Sequence, residues 1–264
     1  MRFRSLMALS IVAFALPSRA TEYTDLWWNP AESGWGLTVT QQGSVAFLTI
    51  FVYGADGKAT WFSSPATFLA NDSNGNPIYS GTLFQSTGPA FSASYDAAAV
   101  HASAVGTASF TASGSSSADL AYTVNGTSVS KSLIRQTFRN NDLVVGNFIG
   151  GLVAESFTCP FAIVGNGNGH EGPMNVYVTG PAGTDIQIDV GDGSNCSTRG
   201  NYVQQGRIGR VEGFLSCKNG DYGMATFFEI EANKLGLSTR YSLNYISGCV
   251  ERGHFTGARM PGSP

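Results

Sequence analysis

The sequence alternates between apolar and small polar residues with a period of two, and this pattern limits what the chain can fold into. Trp35, Leu37 and Val39 are separated by glycine and threonine, which is typical of a β-strand with one buried face. After residue 20 no segment has a convincing helical period, and only residues 97–104 are candidates for a short helix. We therefore predict an all-β fold.

Short turns divide the chain into strands that follow one another closely. The segment Val45–Tyr53 is apolar on both faces, which predicts a central or fully covered strand. Asn125-Gly126 is the strongest two-residue hairpin signal in the chain. Further strands are predicted over residues 35–40, 59–62, 78–85, 105–111, 119–124 and 127–138. Closure of such an antiparallel meander into a small barrel removes its exposed edges, so a barrel is the expected architecture.

Composition changes near the middle of the chain. All tryptophans lie before residue 62 and all cysteines lie after residue 158. The polar run 139–142 is the natural joint between two modules of ordinary domain size. We predict two consecutive small antiparallel β-barrel or barrel-like meander domains, at residues 21–140 and 143–260, after a cleaved signal peptide at residues 1–20.

The N-terminal residues have the pattern of an export signal. Arg2 and Arg4 precede an apolar stretch over residues 6–16, and the small-x-small sequence at 18–20 predicts cleavage after Ala20. The apolar stretch is shorter than the ~20 residues of a membrane span. We expect an exported protein without a membrane span, located in the periplasm, outside the cell or at the cell surface.

Four cysteines, all in the second module, predict two disulfides in an exported chain. A hairpin is predicted with its turn at residues 206–207. Counting outward from this turn brings Cys196 opposite Cys217. This position is a non-hydrogen-bonded pair, at which the side chains of two antiparallel strands lie closest. Cys159 would then pair with Cys249 and tie the start of the module to its penultimate strand. The cysteine spacings match no common zinc motif, and we predict no metal and no cofactor.

Few charged residues limit the classes of partner. Charged side chains make up 12 % of the chain and the net charge is −3, which gives no electrostatic support for binding nucleic acid. The sequence contains no established catalytic motif. His170 and Glu171 lie in a glycine-rich loop that could bind an anion or a metal, although such loops are more often turns. Glu229 and Glu231 would lie ~7 Å apart on one face of a strand, which is common on solvated strands.

The motif Trp-Trp-Asn-Pro-Ala-Glu-Ser-Gly-Trp-Gly, residues 27–36, resembles a recurrent segment of uncharacterised exported bacterial proteins. Residues 122–126 and 134–138 look like the closing segment of the same module. Residues 196–207, 213–217 and 257–259 resemble a domain that often accompanies it. The resemblance covers most of the chain after residue 20 and implies export, but it implies no particular activity.

The first module is also similar to avidin-like and lipocalin-like (calycin) barrels. In those barrels a tryptophan of the first strand plugs one end and stacks against an arginine of the last strand. This resemblance implies Trp27 or Trp35 as the plug, with Arg135 or Arg139 as its partner. Because Trp35 shares a face with two other apolar residues, it is the stronger candidate for a core or plug position. No tryptophan follows Trp61, so biotin binding is not implied.

The other residues of the motif are candidates for ligand binding. Trp27 and Trp28 point in opposite directions if the strand is extended, so one of them is expected to be exposed. With Asn29, Glu32 and Trp61 they could form an aromatic platform for a sugar or an apolar ligand. Glu32 could instead accept backbone N–H bonds within a tight turn.

We therefore predict an exported, non-catalytic protein that binds a small molecule, a glycan or a protein. The first alternative is a structural or adhesive surface module without a pocket, whose aromatic residues all serve the core. The second is a secreted hydrolase that uses Glu32 or the loop of His170 and Glu171.

Overall fold

The computed structural model describes residues 21–138, 140, 142–160, 162–164, 168–178, 185–191 and 195–262. The predicted signal peptide and Arg139 lie outside these ranges. Two closed antiparallel barrels of eight strands each follow one another along the chain, which confirms the predicted fold class. The only helical segments in the described ranges are two 3₁₀ turns, Ala97–Ala99 and Asp142–Val144.

Eight strands form the first barrel: β1 (Asp25–Trp28), β2 (Gly36–Gln42), β3 (Val45–Tyr53), β4 (Ala59–Asn71), β5 (Pro77–Thr87), β6 (His101–Ala112), β7 (Ser117–Val124) and β8 (Thr127–Arg135). They pair in sequence order, and β1 also pairs with β8 to close the barrel. Asn125 and Gly126 form the predicted hairpin turn, with φ of 48° and 85°. Such a turn needs left-handed backbone at both positions, which asparagine and glycine tolerate best.

The second half of the chain forms nine described strands: β9 (Gly146–Cys159), β10 (Ala162–Val164), β11 (Asn168–Val178), β12 (Asp185–Val190), β13 (Cys196–Gln205), β14 (Ile208–Cys217), β15 (Tyr222–Ala232), β16 (Gly236–Tyr245) and β17 (Val250–Arg259). Strand β9 pairs with both β11 and β17, so β9 and β11–β17 form the closed barrel. The short strand β10 pairs with the end of β9.

Large apolar side chains fill the interior of the first barrel. Leu37, Ile50 and Phe110 are among the residues with 0 % exposure. Trp27 is equally buried, and its ring meets that of Phe110 edge-on, with 5.3 Å between the centroids. The interior of the first barrel is therefore filled by side chains. A separate core that includes Phe148 fills the second barrel.

Both barrels close in the same way, with an arginine of the last strand stacked on an aromatic residue of the first. Trp27 in β1 lies opposite Arg135 in β8, and the guanidinium carbon is 4.8 Å from the ring centroid. In the second barrel Phe148 of β9 lies opposite Arg259 of β17, again at 4.8 Å. Each pair lies at the seam of its barrel, so cation–π attraction adds to the backbone pairing of the first and last strands.

Arg135 also satisfies its hydrogen-bond donors in the buried seam. Arg135 as a whole is 2 % exposed. Its guanidinium donates to the carbonyl oxygens of Ser115, Thr24 and Glu22 at 2.6, 3.2 and 2.6 Å. It donates to the Asp25 carboxylate at 2.9 Å. Burial lowers the pKa of Arg135, and the bond to Asp25 opposes that shift. These acceptors compensate the cost of burying the cation.

The two disulfides Cys196–Cys217 and Cys159–Cys249 are present as predicted. The β13–β14 register runs without a shift from the turn to Cys196 opposite Cys217, which confirms the predicted hairpin. The expectation that Cys249 lies in the penultimate strand is wrong. Cys249 lies in the turn between β16 and β17, since β16 ends at Tyr245 and β17 begins at Val250. The disulfide of Cys249 therefore joins the end of β9 to the last turn of the barrel.

Two other local predictions need correction. The outward residues Phe47, Phe51 and Tyr53 of β3 are 44 %, 47 % and 60 % exposed, so this strand is not covered on its outer face. Residues 97–104 form one 3₁₀ turn and then the start of β6, because pairing with β5 begins at His101 and holds the backbone extended.

The turn between β13 and β14 contacts the first barrel. The backbone N–H of Arg207 donates to Asp25 at 2.9 Å, and the N–H of Gly206 donates to Thr137 at 2.8 Å. The Arg207 guanidinium donates to Glu22 at 2.7 Å. Gly206 has a φ of 62°, and a Cβ there would collide with the Asp25 carboxylate. This junction between the barrels therefore requires glycine at the turn.

Removal of the two disulfides should have unequal effects. In the chain-entropy treatment, the bridge with a sequence separation of 90 contributes ~4.5 kcal/mol and the bridge with a separation of 21 contributes ~3.3 kcal/mol. Cys159→Ala/Cys249→Ala should therefore lose about 1 kcal/mol more unfolding free energy than Cys196→Ala/Cys217→Ala. Urea denaturation followed by circular dichroism measures both losses, and the opposite order would contradict the expectation.

Arg135→Met should lower the unfolding free energy by ~3–5 kcal/mol, because it leaves buried carbonyl oxygens without their donor and the Asp25 carboxylate without its paired cation. Lys58→Met is the matched control. Lys58 is 83 % exposed in its ion pair with Asp56, so its removal should cost less than ~1 kcal/mol. Urea denaturation compares the two variants, and equal losses would show that the seam does not depend on Arg135.

Tyr23 should make the first barrel sensitive to alkaline pH. It is 5 % exposed, and burial raises its pKa to about 12. The folded protein favours the neutral phenol, so this contribution is complete below pH ~10 and is lost as the pH rises through ~12. Over that range the unfolding free energy of the unmodified protein should fall ~2–3 kcal/mol more than that of Tyr23→Phe. Urea denaturation at several pH values tests this, and parallel curves would refute it.

Candidate functional site

The outer face of β8, β1, β2, β3 and β4 carries no charged side chain within these described strands. Every second residue of each strand points outward, and the charged residues that the strands contain, Asp25, Lys131 and Arg135, point inward. The face is therefore built from rings, methyl groups, hydroxyls and amides. Exposed apolar surfaces of this kind commonly mark binding sites.

Five residues form one row across this face, which we call the aromatic row: Ile134, Trp28, Gly36, Phe51 and Trp61, on β8, β1, β2, β3 and β4. Pairing places Trp28 opposite Ile134, and Phe51 opposite both Gly36 and Trp61. The β1–β2 register pairs Trp27 with Leu37, so one residue further along it Trp28 and Gly36 are neighbours. Ile134, Phe51 and Trp61 are 45 %, 47 % and 45 % exposed, and Trp28 is half-buried.

Hydroxyl groups border the aromatic row. Thr38, Thr49 and Ser63 are the next outward residues of β2, β3 and β4, and they lie opposite one another. Neighbouring strands are ~4.8 Å apart, so the rings contributed by β1 and β3 are attached ~10 Å from each other. Gly36 lies between them without a side chain, so the row has a shallow gap flanked by two rings.

Side chains of the motif hold the turn between β1 and β2. Oδ1 of Asn29 accepts a hydrogen bond from the N–H of Ala31 at 2.9 Å, and the N–H of Glu32 donates to the Asn29 carbonyl at 3.0 Å. Oε2 of Glu32 accepts from the indole N–H of Trp35 at 3.1 Å and from the Lys131 ammonium at 2.5 Å. The bond from Lys131 lowers the pKa of the Glu32 carboxyl. Glu32 therefore joins this turn to β8 through side chains rather than through backbone N–H groups.

Two tryptophans of the motif are covered by cations from the same strand. Trp35 is partly buried against the core, and the Lys131 ammonium is 5.5 Å from its ring centroid. Arg135 covers Trp27 in the same way. Lys131 and Arg135 are four residues apart on β8, or ~13 Å, so they lie at different levels of the barrel. Near Lys131, burial raises the pKa of Tyr122.

Of the two tryptophans predicted as the plug, Trp27 rather than Trp35 is fully buried and stacked on Arg135. Trp27 is 0 % exposed and stacks with Arg135 at the seam, because β1 pairs with β8 and β2 does not. Trp35 lies just before β2 and is only partly buried. The burial also corrects the assignment of Trp27 to a ligand platform, since its indole is enclosed by the core. Arg139 lies outside the described residues.

The structure brings together only part of the predicted ligand site. Trp28 and Trp61 share the outer face, and Trp28 is the outward member of the tryptophan pair, as the alternation predicts. Asn29 and Glu32 lie in the adjoining turn and are used there. Sequence reasoning missed Phe51, because the apolar outer face of β3 was interpreted as covered.

The other candidates for chemistry are placed differently from the prediction. A register shift puts a bulge between Phe228 and Glu231, so Glu229 and Glu231 do not follow the regular alternation of a strand. His170 and Glu171 lie in β11, and their side chains lie outside the described part of the structure.

Among the described residues, no group of three or more histidines, cysteines or acidic residues is suited to hold a metal ion. No helix in the described ranges is long and apolar enough to cross a membrane.

Comparisons with known protein families, curated proteins and solved structures found no match to this chain. The resemblances to exported bacterial proteins and to calycin barrels therefore remain predictions. The fold and the outer face define the class directly: an all-β protein of two barrels, with an uncharged aromatic outer face on the first.

Proposed function

We propose that the chain is an exported, non-catalytic glycan-binding protein, and that neutral sugar rings bind on the aromatic row. The observation that carries this proposal is the row itself, in which three exposed or half-buried rings are aligned across the four consecutive strands β1–β4 of one sheet. A closed barrel holds such rings in place, so little side-chain entropy is lost when a ligand binds.

The chemistry of the face suits a neutral sugar. A pyranose ring presents C–H groups on its flat faces, which stack on indole and phenyl rings, and hydroxyls around its edge. The gap at Gly36 offers room for one ring between Trp28 and Phe51. Thr38 and Thr49 lie beside this gap and can bond the sugar hydroxyls. A face without charge gives no advantage to an acidic or a basic ligand.

The packed interior favours a surface ligand over one enclosed in the barrel. Trp27, Leu37 and Phe110 occupy the centre of the first barrel with 0 % exposure. A ligand in that position would have to displace them. This argues against the calycin mode of binding, in which the barrel interior holds the ligand.

Export is supported by the cysteine chemistry. Two disulfides pair all four cysteines, and structural disulfides persist in oxidising compartments. Together with the predicted signal peptide, they support export to the periplasm, to the outside of the cell or to the cell surface.

A second candidate is a self-associating surface module. Val45, Phe47 and Tyr53 extend the apolar face beyond the aromatic row, and they are 36 %, 44 % and 60 % exposed. A second copy of the chain could cover this larger area. Light scattering after size-exclusion chromatography distinguishes the two, because only the self-associating module would form a dimer that Phe47→Ser converts to monomer.

The glycan proposal is tested with the chain from residue 21 and a set of polysaccharides. Affinity electrophoresis would use soluble xylan and β-glucan as neutral probes and alginate as an acidic probe. We expect retardation by at least one neutral probe and none by alginate. Trp61→Ala and Phe51→Ala should each weaken binding about tenfold or more, which corresponds to ~1.4 kcal/mol.

Phe214→Ala is the matched control for these variants. Phe214 is 54 % exposed on the second barrel, so its loss removes a similar ring from outside the row and should leave retardation unchanged. Circular dichroism should show that all three variants stay folded. The proposal fails if no neutral probe retards the protein, or if the control variant weakens binding as much as the row variants do.

A further inference from the structure

The segment before β1 contacts the second barrel through Thr21. Its hydroxyl donates to Oε1 of Glu229 in β15 at 2.6 Å, across a separation of 208 positions in the chain. Thr21 is also the first residue left after the predicted cleavage at Ala20. The residue that a signal peptidase exposes by this cleavage therefore lies at the junction between the barrels.

Glu229 has an unusual backbone conformation for a residue with a side chain. It lies in the β15 bulge between Phe228 and Glu231, and its φ of 51° is in the left-handed region. Glycine adopts this conformation without strain, whereas residues with a Cβ do so rarely. What glutamate supplies at this position is its carboxylate, which reaches the segment before β1.

The other carboxylates at the junction are already paired with cations. Arg207 donates to both Glu22 and Glu231, at 2.7 and 2.9 Å. Arg135 is paired with Asp25 at 2.9 Å. Two guanidinium groups thus serve three carboxylates before Glu229 is considered.

Glu229 is the remaining carboxylate, and no cation of the described chain forms an ion pair with it. Arg240 and Arg210 line the two clefts that Glu229 also lines. Arg240 stacks on Phe228, however, and Arg210 is paired with Glu212. The charge of Glu229 is therefore not neutralised by a neighbouring arginine.

The carboxylate of Glu229 has an oxygen left for a further donor. Oε1 accepts the hydroxyl of Thr21, whereas Oε2 accepts no hydrogen bond from any residue in the described ranges. Burial raises the pKa of Tyr23 to about 12, and the charge of Glu229 adds to that rise. A positive charge beside Glu229 therefore stabilises the junction.

We propose that cleavage after Ala20 creates an ammonium group at Thr21 that binds Glu229 and completes the junction between the two barrels. Hydrolysis adds water across the peptide bond: the hydroxyl goes to the carbonyl carbon of Ala20, and the hydrogen goes to the nitrogen of Thr21, which then takes up a proton. Covalent geometry keeps this nitrogen ~3–4 Å from the threonine hydroxyl, and so within ~6 Å of Oε1 of Glu229. The amide nitrogen of the uncleaved chain carries no such charge. The inference rests on the predicted cleavage site and is independent of glycan binding.

Two proteins with defined amino termini test the proposal. One begins at Thr21, and the other carries three glycines before Thr21, which move the ammonium up to ~10 Å away and keep the threonine hydroxyl. The ratio of folded to unfolded protein should be about threefold or more higher for the chain that begins at Thr21, because only this chain forms the ion pair. Urea denaturation at pH ~7 measures the ratio.

Glu229→Gln should remove the difference between the two termini, since its amide still accepts the Thr21 hydroxyl but carries no charge. Asp221→Asn is the matched control. Asp221 is exposed between β14 and β15, so the loss of its charge should leave the difference between the termini unchanged.

The dependence on pH separates the ion pair from a steric effect of the glycines. The advantage of the Thr21 terminus should be complete below pH ~8, where α-amino groups are charged, and should be lost as the pH rises towards ~10. A steric effect would persist at both pH values.

Three results would each overturn the proposal: equal stability of the two termini at pH ~7, a difference that survives Glu229→Gln, or a difference that persists at pH ~10. The comparison of the two termini in the otherwise unmodified protein keeps the proposal testable if Glu229→Gln does not fold.

Discussion

The stacking of Arg135 on Trp27 is the interaction on which most of the first barrel depends. It closes the sheet by fixing β8 against β1, and that pairing places Ile134 beside Trp28. The aromatic row therefore crosses the seam, and two of its five members meet only because the barrel is closed. The same arginine holds Asp25, whose carboxylate also accepts the N–H of Arg207 from the second barrel. One buried cation thus supports closure, the outer row and the junction between barrels.

The second barrel repeats this closure with Arg259 on Phe148, at the same distance and in the same register position. The two halves of the chain reach the same solution although one uses tryptophan and the other phenylalanine. This repetition argues that the arrangement follows from barrel geometry: the first and last strands meet at one seam, and a long planar cation can cover an inward ring there without leaving its donors unpaired.

Local patterns in the sequence predicted much of the fold. The turn at residues 206–207 set the hairpin register, and counting from it located the Cys196–Cys217 disulfide, because a two-residue turn and a period of two leave no freedom. The same period predicted that the side chains of Trp27 and Trp28 point to opposite faces of the strand. The coverage of β3 could not be predicted, since apolar residues on both faces indicate a strand but not what packs against it. The bulge at Glu229 and the Arg259–Phe148 pair were also missed, because they depend on contacts between distant strands.

The β13–β14 hairpin carries a disulfide at its base and the inter-barrel contact at its tip. Nine residue steps separate Cys196 from Gln205, so the hairpin is ~30 Å long. Its strands also pair with β12 and β15, so the second barrel supports the hairpin on both sides. The turn that donates the hydrogen bond from Arg207 to Asp25 is therefore held in place by the second barrel as a whole.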